Sequence, residues 1–239
     1  MSPRFLALVA ACSTLLAAPV TEPGIPAGWR LAAEEHFDTA DSLKRWETAD
    51  GSAWRFTADA TSRSLELVSQ SKYEPPVRSP FNLAVLSGQR YGDVIVEADL
   101  QQTGKEYPHR DMVVAFGIRD ATHFYYVHLA SAADEHAHNI FLVNGTPRAN
   151  IAKKTTAGIR WGQDAWHRVR VERLVSAGTI RVFFDDMTVP IMEAEDRTLG
   201  EGSVGFGSFD DTGKIDNVRI WSPNEPSPAP RIYAGSAGK

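Results

Sequence analysis

Cysteine is almost missing: Cys12 is the one such residue among 239. No internal disulfide can staple the chain, and no cysteine-rich metal site is open to it. Helical periodicity is equally scarce, and only Asp41–Trp46, with Asp41 or Ser42 as N-cap, reads as a short helical turn. An excess of positive charge is absent too. Lysine and arginine number 25 against 30 aspartates and glutamates, a formal net charge of −5. That balance argues against nucleic acid or an anionic membrane surface as partner, because either would need a basic face. No apolar run is long enough to span a bilayer, and no segment repeats at a fixed period. What remains is a chain that is 43% hydrophobic and 23% charged, the balance of a globular protein with a sizeable core.

The two ends differ from the middle. Residues 1–18 place Arg4 before an apolar run from Phe5 to Ala18, the pattern of a secretory signal peptide. The expectation is export, to a periplasm or to the outside. Val9-Ala10-Ala11-Cys12 also has the look of a lipobox, so a lipid anchor through Cys12 stands beside the soluble reading. Residues 19–32 read as a linker and residues 33–222 as one folded domain. Residues 223–239, rich in Pro, Ser, Gly and Ala, lack the periodicity to join a core and read as a flexible tail.

Between those ends the chain is a succession of short strands separated by turn residues, which predicts an all-β, two-sheet antiparallel sandwich. Alternation fixes the faces. In DVIVEADL, Val94, Val96, Ala98 and Leu100 point one way. In the next strand, Met112, Val114, Phe116 and Ile118 form the apolar face, with Asp111, Val113, Ala115, Gly117 and Arg119 opposite. The core between the sheets is expected to hold Val94, Val96, Met112, Val114, Phe116 and Ile118 together with Val169, Val171, Ile180, Val182, Val218 and Ile220. Asp111 and Arg119 are expected on an open outer face, where the small side chains leave room for a ligand or for a covering loop.

The stretch from Tyr107 to Arg148 carries the unusual chemistry. It contains five of the seven histidines, His109, His123, His128, His136 and His138, beside the pairs Arg110-Asp111 and Arg119-Asp120. Sequential strands tend to be neighbours, so Asp111, Arg119, Tyr126, His128, His138 and Asn139 are expected to converge on one groove. Imidazoles beside carboxylates suit a proton relay or a transition metal, and His128, His136 and His138 are the residues for the metal. As catalytic groups the reading names Tyr126, His128 and His138 for proton transfer and Arg119 for a substrate carboxylate. Arg110, Asp111, His136, Asn139, Phe124 and Phe141 are expected to line the substrate. The bland alternative is a solvated hairpin loop, SAADEHAHN.

Three later phrases carry a resemblance. They are Ala165-Trp166-His167-Arg168-Val169-Arg170-Val171, then Thr179–Asp186, then Gly205–Phe209 with Ile215–Trp221. Together they resemble the strands of laminin-G-like modules and of the concanavalin A-like lectin/glucanase superfamily, over roughly residues 34–221. The secreted 3-keto-disaccharide hydrolase domains share this jelly-roll fold. The resemblance implies a structural Ca²⁺ held by the closing-strand aspartate, here Asp216, with Glu35 or carbonyls near Gly51 supplying further oxygens. The Glu-x-Asp-x-Glu strand of the family 16 glucanases is absent, so their two-glutamate mechanism has no support.

Three functions therefore compete: an enzyme acting on a polysaccharide or oligosaccharide as lyase or hydrolase, a lectin-like carbohydrate-binding module, and a structural or adhesion domain of an envelope assembly. The first two account for polar residues alternating across adjacent strands, and the third does not. A monomer that binds and cleaves a sugar chain is the working expectation.

Overall fold

The computed structural model describes residues 22–58 and 62–233. The signal-like segment and Cys12 lie outside the described residues. Eighteen strands follow in order: β1 (Arg30–Glu35), β2 (Trp46–Thr48), β3 (Trp54–Ala58), β4 (Arg63–Leu67), β5 (Asn82–Leu86), β6 (Gln89–Arg90), β7 (Val94–Gln102), β8 (Asp111–Asp120), β9 (His123–Ala130), β10 (Asn139–Asn144), β11 (Ala149–Asn150), β12 (Ala152–Thr155), β13 (Trp166–Leu174), β14 (Thr179–Phe184), β15 (Met192–Glu195), β16 (Ser203–Ser208), β17 (Gly213–Ser222) and β18 (Ser227–Pro228). The expected helical turn is a 3-10 turn over Ala40–Arg45, entered from Thr39. Among the described residues no helix is long and apolar enough to cross a membrane.

One sheet has nine strands in the order β12-β15-β14-β13-β7-β17-β4-β3, with β1 also paired to β17. The second has seven, β11-β10-β9-β8-β16-β5-β2, and β6 pairs with β18 as a small ribbon. The pairings are antiparallel, and the two large sheets face one another across a single core. Alternation places its contents. Val94, Val96, Val169, Val171, Ile180, Val182, Val218 and Ile220 point inward from the nine-stranded sheet, and Met112, Val114 and Phe116 from the other. Each such fully buried side chain contributes about 1.5–3 kcal/mol.

Ile118 departs from its expected place. It lies outside the core, in the apolar patch on the outer face of the seven-stranded sheet. The cause is Gly117, whose φ of +59° puts the backbone in the left-handed region and breaks the β8–β9 register between Phe116 and Asp120. Glycine adopts that conformation without a Cβ penalty. Past it, inward and outward exchange, as at a bulge.

That outer face is not open. Leu83, Val85, Val113, Ala115, Phe124, Tyr126, Phe141 and Val143 share the patch with Ile118, and Val77, Ile232 and Tyr233 pack over it. The room left by small residues on β8 is filled by the protein's own chain. The C-terminal segment, read from composition as loose, is tied down as far as Tyr233. Ser227–Pro228 pairs with β6, and the Glu47 carboxylate accepts the amides of Ile232 at 2.8 Å and Tyr233 at 3.4 Å. At the other end β1 begins at Arg30, within the expected linker, and the carbonyls of Pro23 and Gly24 accept from Arg170.

Candidate functional site

At one end of the seven-stranded sheet β8 begins, β9 and β16 finish, and β5 and β10 start. Pairing of Val113 with His128 and of Val113 with Gly207 brings these ends together. Asp111, wholly buried, is the centre. Its Oδ1 accepts from Ser208 Oγ at 2.7 Å and its Oδ2 from the Phe209 amide at 2.9 Å. His128 Nε2 stands 3.0 Å from the same Oδ2, though off the line of a hydrogen bond. The opposite ring nitrogen, Nδ1, meets the His136 carbonyl at 3.0 Å.

Arginine and aromatic groups form the second half of the site. Tyr126 stacks on Phe141 at 5.1 Å between centroids, and its hydroxyl accepts from Arg148 at 2.9 Å. The Arg148 guanidinium lies over Phe209 at 4.3 Å and over Phe141 at 4.9 Å. Arg78 approaches Phe209 at 5.5 Å, and Phe81 meets the same ring edge-on at 5.2 Å. Cation–π contacts of this kind hold a guanidinium in place without consuming all its donors.

Two further carboxylates complete the mouth. Asp211 Oδ2 accepts from the Tyr107 hydroxyl at 2.7 Å and from the Asp111 amide at 3.0 Å. Burial, followed by the charges of Asp111 and Asp210, pushes the Asp211 carboxyl up to about 6. Asp210 is raised as well, by burial and Asp111, while His128 and Arg148 pull it the other way.

The expected residues are thus partly gathered. Asp111, Tyr126, His128, Phe141 and Asn139 come to this end, with Phe124 farther along the same patch. Arg119 does not. It lies eight residues along β8 from Asp111, roughly 26 Å at ~3.3 Å per residue, so the expected pairing of the two is excluded. It lines instead a hollow of about 450 Å³ with Arg90, Asp120, His123 and Glu201. Arg110 is buried and donates to Gln102, Glu106 and the Gly162 carbonyl, which makes it a structural clamp. Asn139 donates to the carbonyls of Asp134 and Ala137 and so closes the loop before β10.

The three histidines expected to share a metal part company. His138, at φ +52°, accepts from the Ala130 amide through Nδ1 and contacts Thr156 Oγ1 through Nε2. Burial, with the nearby His128, presses it down to about 4. His136 is exposed beside Glu135. Only His128 faces the carboxylates.

The residues that the sequence reading missed are Arg78, Arg148, Phe209, Asp210, Asp211 and Tyr107. One signal was available: Asp210-Asp211 directly follows the apolar strand GFGSF, whose pairing with β8 delivers them to Asp111.

Glu35 and Asp216, the residues expected to hold calcium, have partners of their own. Glu35 accepts the Phe37 amide at 3.0 Å and pairs with Arg45 at 3.0 Å. Asp216 accepts the Asn217 amide at 2.7 Å, and its carboxyl is pushed up to about 6 by burial and by Asp99. Among the described residues the group of three acids and imidazoles close enough to share an ion is Asp111, Asp210 and Asp211, not one containing Glu35 or Asp216.

Neither a protein-family model nor a curated protein matches the chain. Solved structures do. The carbohydrate-binding module CBM66 from Bacillus subtilis aligns with a TM-score of 0.52 at 18% identity, over 74% of this chain and 96% of its own. The fold is a lectin-like jelly roll. A protein of unknown function with a galectin-like fold, also from Bacillus subtilis, aligns at 0.54 and 12% identity, over 85% of this chain and all of its own. A mutant of the GH43 protein BlXynB from Bacillus licheniformis aligns at 0.55 and 12%, over 79% of this chain but 39% of its own. The likeness to these structures is one of fold.

Proposed function

We propose that this protein binds carbohydrate, and that its site is the mouth formed by Arg78, Arg148, Phe81, Asp210 and Asp211. The observation that carries the reading is the pairing of kinds. Two guanidinium groups held on one phenyl ring stand beside two carboxyls close enough for Arg148 to act on Asp210. A sugar hydroxyl both donates and accepts, so donors and acceptors side by side suit a hydroxyl-rich ligand. The arginines also suit a sugar carrying a carboxylate. The CBM66 module, carbohydrate-binding by its name, supports the reading through its fold.

Cleavage of the bound sugar is the second reading. The observation favouring it is the buried Asp111–His128 pair next to Arg148. The imidazole is set by the His136 carbonyl at Nδ1, which leaves Nε2, beside Asp111, as the nitrogen to exchange a proton. Tyr126 is not a proton donor in this reading, because its hydroxyl is buried beneath Arg148.

Calorimetric titration with neutral and uronate-containing oligosaccharides tests the proposal, and the same mixtures assayed for new reducing ends and for ultraviolet absorbance score cleavage. Arg148→Ala is expected to weaken binding about 10-fold or more, the loss of a charge-assisted hydrogen bond. Arg78→Ala, at an exposed position, checks the result without disturbing the packed ring. Binding left intact in both variants would sink the assignment.

A further inference from the structure

At the opposite end of β8 from Asp111, the hollow of about 450 Å³ beside Arg119 has the size of a small-molecule pocket. Gly117 shapes it. That left-handed residue releases Ile118 and Arg119 from the β8–β9 ladder, which resumes where Asp120 faces His123. A bulge of this kind re-aims the side chains that follow it. Gly202 permits the close approach, because a Cβ there would stand 2.1 Å from the Gly117 carbonyl carbon.

The acceptors around the hollow already have partners. Asp120 Oδ1 accepts from the Thr122 amide at 2.7 Å and from Thr122 Oγ1 at 2.8 Å. Both Asp120 oxygens stand 2.9 Å from His123 Nδ1. Glu201 faces Arg90 Nε at 3.5 Å with one oxygen and accepts from Ser227 Oγ at 3.4 Å with the other. The donors are a different matter. Among the described residues the exposed Arg119 guanidinium makes no ion pair and no hydrogen bond. Arg90 donates through Nε, to the Pro228 carbonyl at 3.0 Å, and its two terminal nitrogens are left. His123 Nε2 stands open beside Gly145, where a Cβ would be 3.6 Å away.

This surplus of donors defines the ligand. It must accept hydrogen bonds, and a planar carboxylate matches the guanidinium fork with two parallel bonds. Arg90 is matched by Glu201 and His123 by Asp120, so Arg119 is the charge left over. One spare positive charge between two rim carboxylates suits a singly charged anion and disfavours a doubly charged phosphate. A bare ion would leave the hollow unfilled, and Ile118 and Pro230 offer an apolar wall to the body of a larger molecule.

We propose that this hollow binds a small-molecule carboxylate of about monosaccharide size, its head group held by Arg119 with Arg90 and His123 beside it. The inference is independent of the mouth around Arg148. Glucuronate is the probe, with glucose and inorganic phosphate as comparisons at constant pH. Affinity is measured by calorimetry. The place of binding is read from the ring resonances of His123 and His128 by nuclear magnetic resonance, each assigned through its loss in His123→Gln or His128→Gln.

Glucuronate is expected to shift the His123 resonance, glucose to leave it in place, and phosphate to act about 10-fold more weakly. Arg119→Gln replaces an exposed side chain without partners, so the variant should fold. Its affinity for glucuronate at this site is expected to fall about 10-fold or more, the loss of a charge-assisted hydrogen bond. In Arg148→Ala the His123 shift is expected to persist. The proposal is overturned if glucuronate leaves His123 unmoved, if Arg119→Gln titrates like the parent, or if glucose or phosphate shifts His123 as readily. It is equally overturned if Arg148→Ala abolishes the shift. Glucuronate that moves His128 and not His123 would overturn it too, while leaving the assignment of the mouth intact.

Discussion

On the outer face of the nine-stranded sheet, Glu97 is 1% exposed and collects Arg168 at 2.6 Å, Arg219 at 3.6 Å and the buried Arg170. Around it Arg181 pairs with Glu172, Lys153 with Glu195 and Lys154 with Glu193. At the end of the other sheet the carboxylates of Asp111, Asp210 and Asp211 crowd one another, and two of them are raised by burial and mutual repulsion. The first face carries a hollow of about 550 Å³, larger than the one beside Arg119. Its lining charges are nonetheless matched across neighbouring strands. Volume alone does not separate a scaffold from a site here. The separation lies in whether folding leaves charge uncompensated, which ordinary stability does not reward.

The largest expected effect breaks the neutralised face. Glu97→Ala leaves the buried Arg170 with Glu172 at 3.9 Å as its remaining carboxylate and should cost about 3 kcal/mol in urea unfolding. Sugar binding at the far sheet should be untouched. A loss below about 1 kcal/mol would show that this lattice does not hold the sheet.

The next two expectations concern pH and have opposite signs. His138 is held at about 4 in the folded chain against 6.5 unfolded. Between those values the unfolded chain takes up a proton that the folded chain refuses, so stability falls as pH drops from 6.5 to 4, by about 3 kcal/mol in all. His138→Asn, a residue tolerant of positive φ, should flatten that limb in melting curves taken across the range. Asp211 is raised from 3.8 to about 6. Here the folded chain keeps the proton, and stability falls as pH rises from about 4 to about 6. Asp211→Asn should remove that decline and melt higher than the parent above pH 6. An unchanged difference across pH 4 to 6 would contradict the repulsion described. The smallest effect belongs to the exposed pair Lys154–Glu193: Lys154→Ala should shift stability by no more than about 0.5 kcal/mol.

How much of this was legible in the sequence depends on the range of the interaction that decides it. Strands β7, β13 and β14 alternate without interruption, so the inward set Val94, Val96, Val169, Val171, Ile180 and Val182 follows from period alone. In β8 the same rule holds up to Phe116 and fails at Gly117, because a left-handed glycine leaves no mark in a hydrophobic pattern. The convergence of Asp111, Tyr126 and His128 follows from strand succession. Arg148 and the Asp210-Asp211 pair could not be found that way. They arrive through the pairing of β16 with β8 and through rings stacked across strands, contacts that join residues up to 100 positions apart. Covering of the apolar outer face by Ile232 and Tyr233 was equally hidden, since the composition of that segment resembles a linker.

The two backbone amides held by Glu47 have a consequence for how the protein ages. Arg231 is exposed, and the bond after it is open to a trypsin-like protease. A single cut there frees Ile232 and Tyr233 together from the carboxylate and from the ring of Tyr73, 5.6 Å away. The nicked molecule keeps both sheets and its core, yet it loses part of the cover over the outer apolar patch. Clipped chains are then expected to associate through that surface while still folded, so turbidity in stored preparations would report proteolysis and not unfolding.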